Sequence, residues 1–233
     1  AGRQAAVNAL LEGFAPAVIA PNPPPEAKAI VSASDVDAHI NHLITDLSAT
    51  SAGVSPETVT GIVRDSYTAL ARSAKITRYL VPLTERFAKQ RLADITRDRA
   101  SAPPQVLFIC VANAGRSQLA AALTRQLSGG RVIARSAGST PAAGLNSNVA
   151  ELISDIDGEN VEELFPKPLT DDAIRAADVV ITMGCGDVCP IVPGLRYEDW
   201  SVADPALASP EGVALIRDDL ATRVQALLDS LTN

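Results

Sequence analysis

Five residues, Val111, Ala112, Asn113, Ala114 and Gly115, separate Cys110 from Arg116, and Ser117 follows. A thiol and a guanidinium at this spacing can serve one reaction if the chain between them bends around a helix N-terminus. The N–H groups of such a loop converge on one spot and make an anion-binding nest. Arg116 adds a planar, forked donor suited to a tetrahedral oxyanion. The helix N-terminus and Arg116 both favour the thiolate of Cys110, which is the attacking form, and the Ser117 hydroxyl can donate a hydrogen bond to it. Asn113 can tie the loop to itself through its amide, and Gly115 permits a backbone angle that a Cβ would resist. One loop would thus hold an oxyanion and aim a nucleophile at its central atom.

Two further thiols, Cys185 and Cys189, complete the three cysteines of the chain. An odd, small number does not suggest a structural disulfide framework and fits reactive thiols better. Gly184 and Gly186 flank Cys185 and leave that segment free to move. A Cys-x3-Cys pair can be half a metal site, but the two histidines, His39 and His42, lie far away in the sequence. No metal site is expected.

The elements that position these groups read from their punctuation and periodicity. Val106-Leu-Phe-Ile109 is a continuous apolar run, as expected of a strand covered on both faces. It ends at Cys110, and a helix is expected over 116–128. Val132–Ala134 reads as a strand, 147–155 and 171–177 as helices, and Val179–Thr182 as another buried strand. Ser209-Pro210-Glu211 opens a final helix. Strands alternating with helices imply a parallel sheet, whose ligands bind at the C-terminal strand ends. That rule puts Cys110 and the Cys185–Cys189 segment at one edge.

Ahead of this lies a different pattern. Residues 1–31 read as an irregular segment containing the linker Pro21-Asn22-Pro23-Pro24-Pro25. Ser34 can cap a helix with the stripe Val36, Ile40, Leu43, Ile44 and Leu47. Ser55-Pro56-Glu57 opens a second, with Val59, Ile62, Val63, Tyr67 and Leu70. Pro82 can open a third, with Leu83, Phe87, Leu92 and Ile95 on the buried side. Such narrow stripes make a three-helix bundle over 32–100. After the linker Ala100–Pro104 the α/β domain follows over 105–233.

The bulk numbers bound what such a chain can do. It has 233 residues, 47% of them hydrophobic and 3% aromatic, and a net charge of −7. The core must therefore be mostly aliphatic. Acidic balance without a basic run argues against nucleic acid or anionic membrane as partners. No apolar run approaches the ~18–20 residues of a membrane span, and no signal peptide is legible. A cytoplasmic location is expected.

Val106–Leu123 resembles the phosphate-binding loop of the low-molecular-weight protein tyrosine phosphatase fold. Ser136-Ala-Gly-Ser-Thr-Pro-Ala142 resembles its next motif, and Asp204-Pro205 the loop carrying its general acid. The resemblance spans roughly residues 105–231 and implies a parallel four-stranded sheet flanked by helices, preceded here by the three-helix bundle. Two classes share the scaffold: phosphatases, and arsenate reductases that pass electrons from thiols to arsenic. Tyrosine phosphatases follow the Asp-Pro with aromatics that hold the phenol ring, whereas here the run is Ala206-Leu207-Ala208. Val179–Asp187 and Arg196-Tyr-Glu-Asp-Trp200 resemble the arsenate reductases, and a reductase that must dispose of two electrons has use for resolving thiols.

That resemblance implies the following chemistry. Arsenate sits on the loop N–H groups and Arg116, Cys110 attacks arsenic, and Asp204 helps an oxygen leave as water. Cys185 then attacks Cys110, and Cys189 passes the disulfide outward to an external reductant, with no bound cofactor. Thioredoxin is the expected reductant. Mycothiol with mycoredoxin is the alternative, as in similar actinobacterial enzymes, and a tyrosine phosphatase is the other; the N-terminal helices resemble the three-helix module that precedes some actinobacterial reductases of this type. The chain departs from thioredoxin-coupled members in placing three rather than six residues between the second and third cysteines. It also has Ala121 where some members hold potassium through an acid, so no potassium site is expected.

Overall fold

A computed structural model of the chain describes residues 33–74, 77–184 and 190–232. The irregular segment expected over 1–31 and the thiols Cys185 and Cys189 lie outside the described residues. Three helices come first: α1 (Ala33–Thr50), α2 (Pro56–Ala71) and α3 (Leu80–Ile95). The local grammar of α2 is as expected. Ser55 stands at its N-cap in extended backbone and accepts the Thr58 N–H, and Pro56 occupies the first turn, where its missing N–H has no intrahelical role. Helix α1 starts at Ala33, one residue ahead of the expected cap Ser34.

Helix α3 starts at Leu80 rather than Pro82, which is possible because first-turn N–H groups have no intrahelical acceptor, so the proline costs no bond there. One core gathers Ile40, Leu43 and Leu47 of α1, Val59, Ile62 and Val63 of α2, and Ala88 and Leu92 of α3, and Leu70, Leu80 and Phe87 form a second. Ile95, expected to be buried, is 45% exposed as the last residue of α3.

The second half alternates strands and helices: β1 (Gln105–Cys110), α4 (Arg116–Ser128), β2 (Ile133–Gly138), α5 (Ser147–Ser154), α6 (Asp171–Ala176), β3 (Val179–Met183), β4 (Arg196–Asp199) and α7 (Pro210–Thr232). The strands form one parallel sheet in the order β2-β1-β3-β4. Every residue of β1 is buried, as its apolar run predicts for a central strand covered on both faces. Val106, Phe108 and Cys110 face a core shared with α4, α5 and α7. Leu107 and Ile109 face Ala173 and Ile174 of α6. The register sets Cys110 beside Gly138 of β2 and Met183 of β3, so the C-terminal ends of three strands meet around the thiol.

The helical module and the sheet belong to one compact unit, and side-chain ion pairs join them. Arg91 of α3 is buried and donates to both oxygens of Asp172 on α6, at 2.9–3.2 Å, while also reaching Asp65 and Ser66 of α2. Asp94 of α3 accepts from Gln105 at the start of β1 and from Arg135 of β2. Burial pushes the Asp94 carboxyl above its ordinary range, against the pull of Arg135 and Gln105. Asp178, just before β3, takes Arg97, Arg99 and the backbone N–H of Gln105 on its two oxygens.

Candidate active site

Strand β1 delivers Cys110, 2% exposed, to the mouth of the sheet, and α4 begins at Arg116. The five residues between are held by the segment that follows β2. The N–H groups of Ser139, Thr140, Ala142 and Asn146 donate to the carbonyls of Cys110, Val111, Ala112 and Ala114 at 2.8–3.2 Å. Four loop carbonyls are thereby turned outward. In a trans peptide the next N–H points the other way, so the N–H groups of Val111, Ala112, Asn113 and Gly115 face inward, where an oxyanion would meet them. Gly138 makes this closure possible: a Cβ there would lie 2.8 Å from the Val111 carbonyl oxygen and 2.9 Å from the Asn113 Cβ.

The left-handed residue of the loop is Asn113, at φ +48°, and not Gly115, whose φ is −143°. Asparagine tolerates that region because its short amide can satisfy neighbouring groups, and here both its amide nitrogen and its amide oxygen are engaged. Its Nδ2 donates to Ser117 Oγ at 2.8 Å, while its Oδ1 accepts from Gln118 Nε2 and from the Lys167 backbone N–H. Gln118 Nε2 also reaches the carbonyls of Asn113 and Phe165. Ser117 Oγ lies 2.9 Å from Cys110 Sγ. With Asn113 donating to it, the hydroxyl keeps its own proton for the sulfur. Gly115 also matters through close approach. A Cβ on it would meet Pro205 Cγ at 3.0 Å.

Strand β4 and the turn after it bring the carboxylate. Trp200 follows β4, buried against Phe108 with ring centroids 5.9 Å apart, and donates from its indole to Glu198. The chain then reaches Asp204, whose Oδ1 accepts the Ala206 N–H and caps the short turn Pro205–Leu207. Its Oδ2 lies 3.2 Å from Arg116 Nη2, and Arg116 Nη1 reaches the Val202 carbonyl at 3.4 Å. Cys110, Arg116 and Asp204 share a cavity of about 460 Å³ with Val111, Ala112, Ala114, Gly115, Pro205 and Ala206, and among the described residues no aromatic side chain lines it. Leu207 points into solvent at 89% exposure. Of the residues read from sequence, the structure brings together Cys110, the whole loop to Ser117, and Asp204. The roles of Gln118, Gly138 and Lys167 in pinning the loop were not read: Gly138 and Lys167 reach it from distant parts of the chain, and Gln118 ties Asn113 to the distant Phe165 carbonyl.

Residues 105–233 match the family described as low molecular weight phosphotyrosine protein phosphatase, and residues 40–96 match the protein-tyrosine-phosphatase-like N-terminal domain. The chain belongs to the low molecular weight phosphotyrosine protein phosphatase family. A solved structure of the thioredoxin-dependent arsenate reductase Cg_ArsC1' of Corynebacterium glutamicum is 46% identical, with a TM-score of 0.73, over 82% of this chain and 96% of that one. A putative arsenate reductase of Halobacterium salinarum is 32% identical over 52% of this chain and 89% of its own length. The arsenate reductase of Bacillus subtilis is 33% identical over 44% of this chain and 75% of its own.

Proposed function

We propose that the chain reduces arsenate to arsenite, with Cys110 as nucleophile and thioredoxin as the external reductant. The observation that carries this reading is the loop itself: a buried thiol with the Ser117 hydroxyl 2.9 Å away, beneath peptide N–H groups turned inward by four outward-bonded carbonyls. The similarity to proteins named arsenate reductases supports the choice of substrate, and so does a cavity with no aromatic side chain in its wall among the described residues. The thioredoxin-dependent relative supports the choice of reductant.

In this reading the oxyanion binds the inward N–H groups and Arg116. The Cys110 thiolate forms a sulfur–arsenic bond, and Asp204 gives a proton to the oxygen that leaves as water. The Cys185 thiolate then attacks Cys110 Sγ. A disulfide forms, the sulfur–arsenic electron pair passes to arsenic, and arsenic(V) leaves as arsenic(III). Cys189 displaces Cys110 from Cys185, and a dithiol partner reduces the Cys185–Cys189 disulfide.

The test is arsenate-dependent NADPH oxidation by the purified chain with thioredoxin and thioredoxin reductase, run beside mycothiol with mycoredoxin. Turnover with the first pair is expected. Turnover with the second alone would replace the reductant. Aryl phosphate hydrolysis at a kcat/KM of about 10⁴ M⁻¹s⁻¹ or more, without arsenate turnover, would replace the reaction.

A further inference from the structure

Six glycines among the described residues have positive φ, and five of them, Gly53, Gly129, Gly130, Gly158 and Gly194, have nothing within 4 Å of where a Cβ would stand. Those five serve the backbone of their turns. Gly184, at φ +72°, differs: a Cβ there would lie 2.8 Å from Arg116 Nη1, 3.6 Å from its Cζ and 3.8 Å from its Nη2. The guanidinium therefore rests against the bare Cα of Gly184 at the end of β3, with the Val202 carbonyl and the Asp204 carboxylate as its hydrogen-bond partners.

We infer that Gly184 is a positioning residue for the oxyanion clamp: its missing side chain is the seat that holds the Arg116 guanidinium at the mouth of the loop. The inference rests on the reading of that loop as an oxyanion site. The atoms a Cβ would meet belong to the far end of a flexible side chain. A substitution would therefore displace the guanidinium while leaving the fold standing. Left-handed backbone adds a separate cost, which falls on stability. Asparagine enters that region more readily than alanine but carries the same Cβ. The two substitutions therefore separate strain from contact.

The probe is inorganic phosphate, a tetrahedral anion whose binding needs no redox partner, titrated calorimetrically into the reduced full chain. Gly184→Ala and Gly184→Asn are both expected to weaken phosphate at least about tenfold, the scale of losing one charge-assisted hydrogen bond. Gly158→Ala, which adds a Cβ in open space at φ +83°, is expected to lower the melting temperature as Gly184→Ala does and leave phosphate affinity unchanged. Unchanged affinity in Gly184→Asn would overturn the proposal. So would weak binding in Gly184→Ala that Gly184→Asn restores, because strain alone would then account for it. If the wild-type chain fails to bind phosphate while Gly158→Ala and wild type fold alike, the oxyanion reading itself falls, and this proposal with it.

Discussion

Pro205 leans on Gly115, with its Cγ 3.0 Å from where a Cβ on that glycine would stand. The start of α4 and the turn that carries Asp204 thus meet at a point where a methyl group fits only if the proline gives by a few tenths of an ångström. Gly115→Ala is expected to push the Pro205 turn outward and carry Asp204 with it. A misplacement of about 1 Å near a reacting centre can cost about a hundredfold, so a shift of a few tenths of an ångström should lower arsenate turnover by about fourfold on that scale. Pro205→Ala in the same chain should recover part of the loss by making room. Steady-state kcat for the single and double variants checks this, and an unchanged kcat in Gly115→Ala would show that the turn adapts.

The proposed order of the thiol steps makes a trapping experiment decisive. With arsenate in a single turnover, Cys189→Ser should release one arsenite and stop as a Cys110–Cys185 disulfide. Cys185→Ser should stop earlier, at the arseno-cysteine, and Cys110→Ser should do nothing. Mass spectrometry of the quenched proteins reads each species. Full multiple turnover of both the Cys185 and Cys189 variants with mycothiol would mean that the small thiol reaches Cys110 directly.

Lys167 makes stability depend on pH. Its amine is buried over the Phe165 ring, 5.0 Å from the centroid, and donates to the Phe165 carbonyl at 3.4 Å. Burial, with Arg125 and Arg135 adding repulsion, lowers its pKa to about 7, against an unfolded value of about 10.4. Between those values the unfolded chain holds a proton that the folded chain lacks, so stability rises with pH across that window and levels off below about 7. The urea midpoint of wild type should rise between pH 7 and pH 9 relative to that of Lys167→Met. Parallel curves for the two proteins would show that the amine stays charged when buried.

Arg91 and Asp172 form a pair in which both side chains are about 10% exposed, at 10% and 11%. Removing one partner of a buried pair leaves an uncompensated charge. Arg91→Ala should therefore cost about 3 kcal/mol in urea unfolding. Arg91→Met with Asp172→Leu, which removes both charges, should cost less than Arg91→Ala alone. The pair of Arg91 with Asp65 counts for little, since Asp65 is 63% exposed.

Much of this architecture was legible in sequence because its strongest signals are local. The apolar runs of β1 and β3 and the Cys110-to-Ser117 spacing need no partner to be read. Strand β4 has no such signal: Arg196–Asp199 is an edge strand, partly exposed along its length, and it stood out only by resemblance. Strand β2 runs to Gly138 and not to Ala134, because backbone pairing with β1 carries it through the polar residues Arg135 and Ser136. In the site, the left-handed position fell to Asn113 because Gln118, Ser117 and Lys167 satisfy its amide, which no local pattern announces. Gly115 and Gly184 look alike in sequence, and only packing shows that one admits a proline and the other an arginine.

Asp178 holds the two halves of the molecule together in a way that bears on limited proteolysis. Its two oxygens take Arg97, Arg99 and the Gln105 N–H, and burial, which alone would raise its pKa, is outweighed so that the carboxyl lies below its ordinary range. The exposed turn over 98–101 is open to a protease, while Arg97 before it and Arg99 within it are stitched through their side chains to the Ala176 and Ala177 carbonyls and to Asp178. A nick there would cut a covalent path whose ends stay bound by other bonds. The two fragments should co-elute on a sizing column and separate only in denaturant. The helical module would thus behave as a subunit that happens to be covalently attached.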